Sequence, residues 1–121
     1  MKRNMDLVRK ILIEIHNGDH GYYQGPLVVE GHSNEEVGYH CYLLSQAGLI
    51  EAADVSGEGH GSPHALPMNL TWAGHEFVEN AYNDSIWEQT RGVVSRVGNA
   101  SFTIWANVLS KVVTNSLGLD N

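Results

Sequence analysis

Apolar residues recur along this chain with two periods, and the switches between them mark its elements. In residues 5–17, Val8, Ile11, Leu12 and Ile15 fall at i, i+3, i+4 and i+7. That is the stripe of an amphipathic helix, and Asn17-Gly18 ends it. Residues 18–25 are rich in turn formers. Pro26 to Glu30 reads as a short strand, with proline first, where a missing amide does least harm. Ser33 to Ile50 is the most fully punctuated stretch. Ser33 and Glu36 form a capping box, Val37, Cys41 and Leu44 form the apolar stripe, and Leu43 and Ala47 widen it. Gly48 supplies a left-handed stop. Leu49 to Val55 then reads as a strand, 56–64 as a loop, and Ala65 to Thr71 as the return strand, with Pro67 marking an edge or a bulge.

The remaining pattern is helical. Thr71 is the expected cap of a third helix whose Phe77, Val78 and Ala81 face inward. Asn83-Asp84-Ser85 breaks it, and Ser85 with Glu88 repeats the capping-box pattern. Ile86, Thr90, Val93, Val94 and Val97 form the next stripe, ended by Gly98-Asn99. Trp105, Val108, Leu109, Val112 and Val113 mark a last helix over 101–117. This order predicts an α+β fold, a winged helix-turn-helix-like domain with a small antiparallel sheet and a helical C-terminal extension. It is degenerate, because a loop and a short strand at 18–30 replace one helix of a typical winged helix. Residues 33–47 take the place of the recognition helix, and 56–64 that of the wing. The reading is one domain over 1–121, with a core at 1–71 and the helices of 72–121 packed on it.

A chain of 121 residues fits one domain, and 42% apolar residues suffice for a core. No apolar run approaches the ~18 residues of a membrane span. The N-terminus, MKRNMDLVRK, has no apolar stretch of a secretory signal. One cysteine excludes an internal disulfide. These points lead to an expected location in the cytoplasm. Charge changes the picture more. The net value is −7, and all seven Lys and Arg residues stand near the ends. None occurs between residues 11 and 90, where there are twelve acids. Because phosphate neutralisation dominates DNA binding, this middle is a poor DNA face.

Three pieces, MKRNMDLVRKIL (1–12), EEVGYHCYLLSQAGLI (35–50) and LTWAGHEFVENAYNDSIW (70–87), resemble in sequence and order the bacterial and phage family called domain of unknown function 2513. The resemblance implies a winged-helix-like fold and a bacterial, phage or prophage origin. It implies no catalytic residues.

Of seven histidines, His16/His20 and His60/His64 are four apart, a spacing that shares a metal when it falls on one helix. Asn17-Gly18 interrupts the first pair and Gly-Ser-Pro the second, so no metal site and no cofactor is expected. Gly59-His60-Gly61-Ser62 does not match a serine nucleophile elbow. Cys41 lies on the apolar stripe and reads as an inert core thiol. Gly57-Glu58-Gly59-His60-Gly61 lacks the Lys and helix of a phosphate loop. Glu35/Glu36 and Glu76/Glu79 fit first-turn dipole positions better than acid–base catalysis. The chain is therefore read as non-enzymatic, a regulatory protein acting by protein–protein binding. Glu35, Glu36, Tyr39, Glu58 and His60 form its expected partner face. The alternative is a DNA-binding transcriptional regulator that uses Lys2, Arg3, Arg9 and Lys10. It would act as a homodimer joined through the C-terminal helices.

Overall fold

A computed structural model describes residues 1–57 and 59–118. Among them are five helices and a two-stranded antiparallel sheet, an α+β arrangement. The elements are α1 (Met5–His16), α2 (Asn34–Gln46), β1 (Ile50–Asp54), β2 (Ala65–Leu70), α3 (Trp72–Ala81), α4 (Asp84–Val94) and α5 (Phe102–Ser116). The chain divides into two compact units, one ending at Val78 and one starting at Glu79.

In the first unit, α1 starts where the Asn4 side chain accepts from the Leu7 amide at 3.1 Å. It buries Leu7, Val8, Ile11, Leu12 and Ile15. α2 begins with the full capping box: the Glu36 amide donates to Ser33 Oγ, and the Ser33 amide donates to Glu36 Oε1, both at 3.1 Å. Val37, Cys41 and Leu44 are buried as expected. Leu43 is half-buried and Ala47 exposed, so the stripe is narrower than its sequence suggests on that side. Gly48 adopts φ +77°, the left-handed region that glycine enters without a Cβ penalty, and turns the chain into β1.

The ribbon pairs Ile50 with Leu70 and Asp54 with Ala65. Its register shifts between Glu51 and Ala52, whose partners are Asn69 and Pro67. Met68 is thus the extra residue of a bulge beside Pro67, which has no amide to give the ladder. Thr71 closes the ribbon. Its hydroxyl donates to the Gly48 carbonyl at 2.6 Å and accepts from the Gly74 amide at 3.1 Å, capping α3. The strand expected at 26–30 does not form; those residues carry no ladder. Pro26 cannot donate, and Leu27 is buried while Val28 is exposed, so the segment is held by packing. The nearby backbone bond comes earlier, from the Tyr23 amide to the Met68 carbonyl at 2.7 Å.

In the second unit, α4 is capped by Asn83, whose side chain accepts from the Ile86 amide at 3.0 Å. The Ser85–Glu88 pattern therefore does not mark its start. Asn83 stands two residues earlier and competes with equal capping strength. α5 is capped by Ser101. Trp87 and Trp105 stack with ring centroids 4.9 Å apart, joining α4 to α5, and α5 also buries Leu109 and Val112.

Candidate functional site

Two places in the first unit gather chemistry-bearing side chains. The first lies where the β1–β2 loop folds against the start of α2. The base of the loop is fixed by backbone: the Val55 amide donates to the His64 carbonyl, and the His64 amide donates to Ser56 Oγ, both at 2.9 Å. Asp54 Oδ1 accepts from the Ser56 amide at 2.8 Å; the Ser56 hydroxyl first, and this bond second, hold the Asp54 carboxyl below its ordinary range. Further along, Ser62 Oγ donates to Glu35 Oε2 at 2.6 Å, a short charge-assisted bond between loop and helix. The His64 ring fills the space beside Gly38, where a Cβ would collide with it. His60 stacks on His64, centroids 3.8 Å apart and rings 6° from parallel.

Of the expected partner face, the fold brings Glu35 and His60 together through this loop. Glu36 is occupied by the capping box, and the Ser33 amide holds its carboxyl below the usual range. His32 Nδ1 stands 3.6 Å from Glu36 Oε2. Tyr39 is half-buried, and its ring meets the His40 ring edge-on at 6.0 Å. Glu58 lies outside the described residues. Under the loop, an apolar cleft of about 460 Å³ is lined by Leu27, Val37, Gly38, Cys41, His64 and Leu66. Burial pushes the Cys41 thiol up to about 12, far from a reactive thiolate. The basic residues Lys2, Arg3 and Lys10 are exposed, and Arg9 is half-buried.

His40 is a structural residue of α2. It is fully buried. Its Nε2 accepts from the Asn4 amide at 2.9 Å, and its Nδ1 donates to the Glu36 carbonyl at 2.8 Å. Both ring nitrogens are used by a neutral imidazole, and burial pushes its pKa down. The signal was present: Val37, His40, Cys41 and Leu44 fall at i, i+3, i+4 and i+7, so His40 completes the buried stripe.

The second place is a polar cleft of about 650 Å³, lined by His20, Tyr22, Gln24, Glu51, Asn69 and His75. Asn69 Nδ2 donates to Glu51 Oε1 at 2.9 Å, fixing one carboxylate oxygen across the ribbon. His75 also meets His16, with centroids 6.0 Å apart and rings crossed at 65°. Sequence spacing pairs His16 with His20; the fold pairs it with His75 instead. That partnership links the end of α1 to α3 and leaves no trace in local spacing.

The family model described as "Hypothetical protein (DUF2513)" matches residues 2–100. An "Uncharacterized protein" of Haemophilus influenzae (strain ATCC 51907 / DSM 11121 / KW20 / Rd) is 37% identical over 97 residues, covering 78% of this chain and 79% of the relative. No solved structure matches. Among the described residues, no helix is long and apolar enough to cross a membrane. The match spans α1 through α4 and their connections, and on it the chain belongs to the family of hypothetical proteins called domain of unknown function 2513.

Proposed function

We propose that the protein is a non-enzymatic, winged-helix-like regulatory module of the cytoplasm that binds a protein partner presenting a basic surface. The Ser62–Glu35 bond carries this reading. It ties the β1–β2 loop, in the place of a wing, to the first turn of α2, in the place of a recognition helix. Glu35 and His60 are then joined through one loop, within an 80-residue span that has no Lys or Arg. A surface of that charge repels nucleic acid and complements a protein that binds it. The class of partner is thus a bacterial nucleic-acid-handling or defence factor, as suits a phage or prophage protein.

The test is capture from a bacterial extract by the immobilised chain and by its Glu35→Lys/Glu36→Lys variant, each checked for helicity. Loss of a captured protein with the variant supports the reading. Equal capture by both overturns it.

The second reading is a dimeric DNA-binding transcriptional regulator, favoured by the exposure of Lys2, Arg3 and Lys10 around the start of α1. Mobility titration against random duplex DNA at low salt, with mass measured by light scattering, separates the two. DNA binding that weakens steeply with salt and fails in Lys2→Ala/Arg3→Ala establishes this reading, and no shift at low salt removes it.

A further inference from the structure

We propose that His16 and His75 form a binding site for a divalent transition metal of the zinc, nickel or copper class. The two imidazoles come from opposite parts of the first unit's sequence, the last turn of α1 and the first turn of α3. Their rings cross at 65°, and a nitrogen of one lies within 4.8 Å of a nitrogen of the other. Metal–nitrogen bonds of about 2.0–2.1 Å in tetrahedral geometry place two such nitrogens about 3.3 Å apart. His75 is exposed and His16 half-buried, so small χ rotations close the difference. Crossed rings allow both in-plane lone pairs to reach one point. The nearly parallel His60–His64 stack directs its lone pairs past each other and does not.

Two further observations favour a cation here. Asn17 Oδ1 lies 3.4 Å from His16 Nδ1, the position of an outer acceptor that keeps the proton on Nδ1 and leaves Nε2 as the ligand atom. His16 also stands in the last turn of α1, the negative end of the helix dipole. His75 borders the polar cleft of His20, Tyr22 and Glu51, so coordination positions beyond the two imidazoles face a space of about 650 Å³, open to water or a small anionic ligand.

The test is calorimetric titration of the full chain at neutral pH with zinc chloride and, separately, nickel chloride. One ion per chain is expected. Affinity should fall at least tenfold in His16→Gln and in His75→Gln, and remain unchanged in His60→Gln. Nickel should selectively broaden the His16 and His75 imidazole resonances of the unsubstituted chain, a readout that needs no variant. Absence of binding at millimolar metal, binding that survives both substitutions, or broadening centred on His60 and His64 overturns the proposal.

Discussion

The ring of His64 occupies the space a side chain at Gly38 would need, so a residue from the β1–β2 loop lies directly on the backbone of α2. Gly74 is constrained in a different way: a Cβ there would meet the carbonyl oxygen of Leu49. The obstacle at residue 38 is the end of a side chain on a loop, which can swing away. The obstacle at residue 74 is backbone, held by the Thr71 amide's bond to that same carbonyl at 3.1 Å. Both glycines lie in helices, where alanine is intrinsically better by about 1 kcal/mol. Gly38→Ala should therefore change stability little while releasing His64, visible as a shift of its imidazole resonances. Gly74→Ala should cost about 1–3 kcal/mol, the usual scale of overpacking. Equal urea midpoints for the two variants would contradict this distinction.

Thr71 joins three elements through one hydroxyl, donating to Gly48 and capping Gly74. Thr71→Ala removes a cap and leaves a carbonyl without its partner, which should cost about 1–2 kcal/mol. Thr71→Ser keeps the oxygen and should recover most of that loss. Chemical denaturation of the three proteins decides it: a serine variant as weak as the alanine variant would show that the methyl group, not the hydroxyl, matters.

Local pattern carried most of this fold. The helices over 5–16, 34–46 and 102–116 follow from stripes and caps that need no distant partner. The strand read at 26–30 failed because Leu27 and Val28 offer β-like residues without a neighbour to pair with, and pairing is a property of the whole ribbon. Asn83 won over Ser85 because two capping residues stood within one turn and spacing could not rank them. At the sites, the acidic first turn of α2 was legible, since Glu35 and Glu36 are adjacent to a marked helix start. His16 with His75 was not, because they stand 59 positions apart and only the packing of α1 near α3 brings them together. Ser62 on Glu35 is equally non-local. The burial of His40 is legible in the sequence, because it shares the stripe of Val37, Cys41 and Leu44.

Cys41 is buried among apolar neighbours, with its thiol pushed up to about 12. Its thiolate fraction at neutral pH is therefore negligible, and the thiolate is the reacting form. The native protein should resist iodoacetamide at pH 7.5 and be labelled rapidly once unfolded in urea. Rapid labelling without denaturant would mean that the apolar cleft under the β1–β2 loop opens often enough to expose the thiol.

His40 gives the chain a pH-dependent stability with a definite sign. Burial is the largest cause of its lowered pKa; the His32 and Arg3 charges act in the same direction, and the Glu36 carbonyl and carboxylate oppose them. The folded state therefore binds a proton less readily than the unfolded chain, whose imidazole titrates near 6.5. Above that value His40 is neutral in both states and its two hydrogen bonds contribute fully. As pH falls below it, the unfolded chain takes up protons that the folded chain refuses, and stability declines toward the lower folded pKa. His64 is shifted down as well, by burial and by His60, and adds to the same decline. Glu36 and Asp54, with lowered carboxyl pKa values, lose their contribution only at more acidic pH. The urea midpoint should thus fall from pH 7.5 to pH 5.5. His40→Leu should be weaker at pH 7.5 by about 1–3 kcal/mol, because the Asn4 amide loses its acceptor. Its midpoint should vary less over the same interval, since one of the two imidazoles that drive the decline is gone. An unchanged slope in this variant would assign the pH dependence to His64 instead, and would mean that the His40 ring is protonated as easily in the folded chain as in the unfolded one.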